Sequence, residues 1–151
     1  MAGTITKSII VKADVSTAYR VWENFENFPY FMDNIKSVTK TGERKSHWVV
    51  EGPLGKDIRW NAETTKLEAD KRIGWNTKDE EGNVTTSGQV TFNQLPENQT
   101  EVTVMMQYDP EGGKVGEAVA KIFANPEKRV EQDLENYKKY IEGMTARSSL
   151  N

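Results

Sequence analysis

The chain has 151 residues, 36% hydrophobic residues, a formal net charge of −3 and no cysteine. This length suits a single domain with a substantial core or one modest cavity. The acidic balance argues against nucleic-acid binding through phosphates, and the lack of cysteine excludes disulfides and thiol chemistry. The N-terminus lacks an apolar signal region and no apolar run reaches membrane-spanning length, so we expect a cytoplasmic protein without stable membrane insertion.

The N-terminal quarter predicts a strand followed by short helices. β-branched residues at 4–11 favour a strand, and Asp14 or Ser16 is a suitable cap for the next helix. The segment VWENFENFPYFMDNIKSV, residues 21–38, then holds five of the fourteen aromatic residues. Its proline must end or bend the helix, so we predict a second short helical turn over 29–33.

The middle of the chain alternates between strand-like runs and turn signals. Runs rich in β-branched and aromatic residues are separated by Gly, Pro, Asn and Asp. Short connections favour antiparallel neighbours, so with the first strand these runs predict a seven-stranded antiparallel sheet. The six strands predicted here are Ile35–Thr41, Glu43–Glu51, Asp57–Leu67, Arg72–Lys78, Thr85–Gln94 and Thr100–Tyr108.

The C-terminal third changes to a helical period. Apolar residues recur every three or four positions in two runs. Asn125-Pro126 between the runs predicts a fresh helix start, and a kinked single helix is the alternative. We expect residues 1–142 to form one domain and residues 143–151 a disordered tail. The two apolar runs are Val115, Val119, Ile122 and Val130, Leu134, Tyr137, Ile141.

Strand alternation separates an apolar face from an ionisable one. Aromatic and aliphatic side chains share one face of each strand, and nearly all ionisable groups take the other, with Lys66 the main exception. General acid–base catalysis needs a titratable group inside the pocket, so this pattern favours binding over catalysis. Thr64, Thr77 and Tyr108 are the polar groups expected inside.

The aromatic residues are expected to line a pocket. Each ring taken alone is typical of a plain core, but leucine is scarce, and rigid rings with few flexible fillers favour a lined space. The predicted lining residues are Trp22, Phe25, Phe28, Phe31, Met32, Trp48, Trp60, Trp75, Phe92, Met106, Tyr108, Val119 and Phe123.

No catalytic residue, metal site or cofactor is predicted. His47, the one histidine, alternates outward and has no histidine or cysteine companion for a metal. The loop GPLGK at 52–56 lacks the Gly-Lys-Ser/Thr pattern of a phosphate-binding loop, and a strand rather than a helix follows it.

Several segments carry a family resemblance. The first is the aromatic segment at 21–38. The others are WNAETTKLEADKRIGW (60–75), GQVTF (88–92), TEVTVMMQYDP (100–110) and VEQDLENYKKYIE (130–142). Over residues 3–142 the sequence resembles the bacterial polyketide cyclase/dehydrase branch of the START-like, or birch-pollen-allergen-like (SRPBCC), helix-grip superfamily. The resemblance implies an α+β helix-grip fold, in which a seven-stranded antiparallel sheet wraps a long C-terminal helix and two short helices follow strand 1.

Three functions remain open at this point. The resemblance implies relatives that bind or transport lipids, sterols, polyketides or quinones, so the first hypothesis is a non-enzymatic carrier of a small hydrophobic molecule. The second is an enzyme of the cyclase/dehydrase type, in which Tyr108, Arg59 or Asp57 polarises a carbonyl. The third is a protein-interaction or chaperone-cofactor module. The sequence predicts no oligomeric state.

Overall fold

A computed structural model describes residues 3–32, 35–51, 57–78, 84–108 and 126–149. A single 3-10 turn at Pro96–Asn98 joins the last two strands. The other elements, in chain order, are β1 Gly3–Val11, α1 Val15–Glu23, the 3-10 helix η1 Phe25–Tyr30, β2 Ile35–Gly42, β3 Lys45–Glu51, β4 Asp57–Glu68, β5 Arg72–Lys78, β6 Val84–Leu95, β7 Gln99–Tyr108 and α2 Pro126–Ser149.

The seven strands form one antiparallel sheet in the order β1-β7-β6-β5-β4-β3-β2. Consecutive strands β2 to β7 are neighbours, and β1 pairs with β7 along its whole length, from Gly3 opposite Tyr108 to Val11 opposite Thr100. The helix α2 packs against β1, and η1 packs against β2. This is the α+β helix-grip architecture, so the predicted fold is confirmed. Among the described residues, none of the helices combines the length and the apolar character needed to cross a membrane.

The helix α1 begins at a side-chain cap. The carboxylate of Asp14 accepts hydrogen bonds from the backbone N–H of Thr17 at 3.3 Å and from its hydroxyl at 2.6 Å. These bonds, led by the one from the Thr17 hydroxyl, lower the pKa of Asp14, although partial burial opposes them. The helix therefore starts where a first-turn N–H finds an acceptor, and it buries Ala18, Tyr19 and Trp22.

The second short helix lies earlier than the sequence predicted. We expected a turn over 29–33, but η1 covers Phe25–Tyr30 with Pro29 inside it. The fixed φ of proline is compatible with a helical turn, and only one backbone donor is lost. The turn closes through Phe28, whose carbonyl accepts from the N–H of Phe31 at 3.1 Å and of Met32 at 2.8 Å. The end of the predicted turn, Asp33, lies outside the described residues.

The C-terminal helix starts at Pro126, the first-turn position where a missing N–H is harmless. It continues to Ser149, seven residues past the end of the predicted domain and into the expected disordered tail. A single glycine at 143 costs a helix about 1 kcal/mol, and beyond it Met144, Ala146 and Arg147 are good helix formers. The earlier predicted run with Val115, Val119 and Ile122 lies outside the described residues.

An aromatic cluster joins α1, η1, the sheet and α2. The Trp22 ring makes edge-on contacts with Phe28, Phe92 and Tyr137 at centroid distances of 5.5, 6.5 and 5.0 Å. The buried hydroxyl of Tyr137 donates a hydrogen bond to the carbonyl of Ala18 at 2.7 Å. The crowding of rings in the 21–38 segment therefore fixes two short helices between the sheet and α2.

Candidate functional site: an aromatic cavity

A cavity of about 210 Å³ lies between the sheet, the η1 segment and α2. Its wall is mostly aromatic and aliphatic, and each of the four tryptophans contributes to it. The lining residues are Trp22, Phe25, Phe28, Met32, Ile35, Ser46, Trp48, Trp60, Ala62, Thr64, Ile73, Trp75, Thr77, Val104, Met106, Val130, Asp133 and Leu134.

One side of the cavity is lined by two stacked rings. The Phe25 ring of η1 stacks on the Trp48 indole of β3, with centroids 6.0 Å apart and planes 23° apart. The indole Nε1 of Trp48 donates a hydrogen bond of 2.8 Å to the hydroxyl of Ser46, which is itself buried. On the outer side, the Lys40 ammonium lies 5.1 Å from the centre of the Phe25 ring. The Trp48 side chain is therefore held in one orientation by contacts on two sides.

On the sheet side of the cavity wall, a glycine leaves space for the indole ring of Trp75. Gly88 on β6 lies directly opposite Trp75 on β5 and opposite Met106 on β7. A Cβ atom at Gly88 would clash with the carbonyl oxygen of Met105 and lie 2.9 Å from a ring carbon of Trp75. The absence of a side chain at this position lets the indole lie close to the backbone of its neighbour strand.

Four polar side chains interrupt the apolar wall: Ser46, Thr64, Thr77 and Asp133. Thr64 and Thr77 were expected inside from strand alternation. Strand alternation does not predict Asp133, because this residue lies on α2 and is not part of the apolar run of that helix. Its position, three residues after Val130 and four before Tyr137, was the available signal, since residues at these spacings share a helix face.

Eight of the thirteen predicted lining residues surround the cavity. Phe31 and Phe92 pack in the core instead: Phe31 stacks on Tyr140 at 4.7 Å, and Phe92 meets the edge of Tyr19 at 5.6 Å. Val119, Phe123 and the side chain of Tyr108 lie outside the described part of the chain. The eight are Trp22, Phe25, Phe28, Met32, Trp48, Trp60, Trp75 and Met106.

The charged residues named for the enzyme hypothesis lie on the outer surface. Arg59 is exposed, and Asp57 forms an ion pair with Lys36 at 2.7 Å. The hydrogen bond and the charge of Asp57 raise the pKa of Lys36. His47 bonds through Nδ1 to the side-chain oxygen of Asn61 at 3.0 Å, in an exposed contact. Within the described ranges, no group of three or more His, Cys, Asp or Glu side chains is arranged to hold a metal ion.

Comparison with known proteins places the chain in a family. The sequence profile of the family described as polyketide cyclase/dehydrase and lipid transport matches residues 11–142. The chain belongs to this family. An uncharacterised 17.2 kDa protein of Streptomyces lincolnensis is 33% identical to this chain over 138 residues, which are 91% of this chain and 89% of the relative.

Solved structures confirm the START-like fold of this family member. The Zhui aromatase/cyclase from Streptomyces sp. R1128 is 14% identical, with a TM-score of 0.73 over 94% of both chains. A START superfamily protein from Mycobacterium smegmatis is 16% identical, with a TM-score of 0.67 over 95% of this chain and 97% of that one. At these identities the likeness shows the shared fold.

Proposed function

We propose that this protein binds a small, mainly apolar molecule in the aromatic cavity and carries or senses it without converting it. The observation that supports the proposal is the cavity itself: the core is not packed solid by its own rings but leaves about 210 Å³ with a mostly apolar wall. Concave apolar sites with a few polar groups are typical of small-molecule binding. The family's description, which includes lipid transport, agrees with this function.

The volume limits the size of the ligand. An apolar protein cavity of about 150 Å³ stays dry and holds benzene, so a cavity of about 210 Å³ suits one or two rings or the equivalent aliphatic group. Each 100 Å² of apolar ligand surface removed from water contributes about 2.5 kcal/mol. The fixed orientation of Trp48 reduces the entropy lost on binding, because that wall is already ordered.

Tryptophan fluorescence tests this proposal directly, because each of the four tryptophans contributes to the wall. The protein is titrated with a panel of short fatty acids, quinones and fused-ring aromatics. The matched variants are Ala62→Leu, which adds volume at a lining position, and Ala69→Leu, which makes the same change at an exposed position after β4.

The expected result is a saturable fluorescence change with at least one compound class in the wild type and in Ala69→Leu. In Ala62→Leu the affinity obtained from the titration is expected to fall at least tenfold, because the added side chain occupies space that the ligand needs. Equal binding by Ala62→Leu places the ligand elsewhere and refutes the proposal. If no compound of the panel changes the tryptophan fluorescence of the wild type, that result also counts against the proposal.

A further inference from the structure

Among the described residues that line the cavity, one carries a carboxylate. Asp133 lies on α2 between Val130 and Leu134, and all three line the cavity. The Asp133 side chain is half-buried, and of its two carboxylate oxygens Oδ1 is shielded from solvent. Among the described lining residues it is the one ionisable group, and the remaining polar side chains there are the hydroxyls of a serine and two threonines.

The chemistry of a carboxylate sets a condition on what binds beside it. An ionised carboxylate only accepts hydrogen bonds and never donates one, and the side chain of Asp133 is only partly buried. A ligand that places only hydrocarbon against the carboxylate displaces the water that solvates its charge and supplies no hydrogen bond in exchange. A ligand that donates a hydrogen bond offsets that loss, because hydrogen bonds to charged groups are the stronger kind. A ligand carboxylate is repelled.

We propose that Asp133 selects, within the binding function proposed above, compact apolar ligands that carry a hydroxyl donor. The ligand class is a phenol or ring alcohol with one donor directed at α2, and the class selected against is the fatty-acid type with an anionic head. The hydroxyls of Thr64 and Thr77 on the sheet side of the wall serve as donors or acceptors for a second oxygen.

Isothermal titration calorimetry at neutral pH with three probes of one shape tests this inference: 2-naphthol, naphthalene and 2-naphthoate. The variants are Asp133→Asn, which keeps the shape and removes the charge, and Glu135→Gln. Glu135 lies two residues along the same helix and is exposed, so its variant makes an equal change in net charge outside the cavity. Circular dichroism and thermal melting confirm that the variants fold.

In the wild type, 2-naphthol binds at least tenfold more tightly than naphthalene, and 2-naphthoate binds most weakly. In Asp133→Asn the advantage of the naphthol falls about fivefold or more and 2-naphthoate gains affinity, while Glu135→Gln behaves as the wild type. If Asp133→Asn does not fold, the wild type alone can still overturn the inference, through equal affinity for 2-naphthol and naphthalene or through 2-naphthoate binding as tightly as naphthalene.

Three results overturn the inference and leave the proposed function standing: equal wild-type affinity for 2-naphthol and naphthalene, 2-naphthoate binding as tightly as naphthalene, or a preference for the naphthol that persists in Asp133→Asn. Naphthalene binding shows in each case that the cavity accepts an apolar guest. Failure of all three probes to bind the wild type removes the inference, and the proposed function is then decided by the fatty acids and quinones of the fluorescence panel.

Discussion

The buried hydroxyl of Tyr137 allows a quantitative test of how α2 is held against α1. Tyr137 is fully buried, and its hydroxyl donates to the carbonyl of Ala18 at 2.7 Å. The substitution Tyr137→Phe keeps the ring, with its 5.0 Å edge contact to Trp22, and removes one buried hydrogen bond. Such a bond contributes about 0.5–1.5 kcal/mol, so we expect the free energy of unfolding to fall by about 1 kcal/mol at pH 7.

The effect of this substitution must also depend on pH. Burial raises the pKa of Tyr137 in the folded protein, whereas a tyrosine in an unfolded chain titrates at about pH 10. The stabilisation by the neutral hydroxyl is therefore complete below about pH 10 and is lost as pH rises above it, because only the unfolded state then releases the proton. The loss amounts to about 1.4 kcal/mol per pH unit in the wild type, and Tyr137→Phe lacks this term.

Urea denaturation at pH 7 and at pH 10.5–11 measures both effects. The deficit of Tyr137→Phe is expected at pH 7 and shrinks or reverses at the higher pH. Tyr140→Phe is the matched control: Tyr140 lies three residues along α2, is half-buried rather than fully buried, and keeps its ring stacked on Phe31 when the hydroxyl is removed. A deficit for Tyr137→Phe that stays constant from pH 7 to 11, or equals that of the control, refutes the reasoning.

Three further changes test other parts of the structure by urea denaturation. Ser46→Ala leaves the indole N–H of Trp48 without its acceptor, so we expect a loss of about 1–2 kcal/mol and a shifted tryptophan emission; unchanged stability and emission would show that the bond is unimportant. Gly88→Ala forces a Cβ into a carbonyl oxygen of the next strand and should cost about 1–3 kcal/mol, whereas Gly42→Ala meets only ordinary contacts and should change little; equal effects would contradict the geometry. Asp14→Ala removes the cap of α1 and costs about 1 kcal/mol at neutral pH. Because the folded pKa of Asp14 is lowered, this advantage is present above about pH 3.9 and is lost as pH falls through the folded pKa, so a deficit that does not shrink as the pH is lowered below about 3.9 would be inconsistent with it.

Local sequence patterns were sufficient for the sheet and for the start of α2. The strand predicted at Arg72–Lys78 is found with the same bounds, because alternation and flanking turn residues act over a few positions and do not depend on distant contacts. Pro126 marks the helix start for the same kind of reason. The end of α2 was predicted too early, because a glycine inside a helix is a weak signal that neighbouring helix formers overcome.

The cavity was only partly predictable because a cavity is the space that packing leaves. Alternation correctly predicts that Phe92 faces inward, but it cannot tell whether that ring meets another ring, as it does at Tyr19, or an empty volume. The same applies to Phe31, which α2 covers through Tyr140. Asp133 was missed because the edge of a helix face depends on how the helix is rotated against the sheet, which is a tertiary property.

The central claim is that the core holds a guest molecule, and a crystal structure of the protein grown with 2-naphthol measures this most directly. The account predicts density for one probe molecule between the Trp48 and Trp75 indoles and α2, with little movement of the sheet. A cavity filled by the protein's own side chains, with the probe absent or bound only on the outer surface, would contradict it.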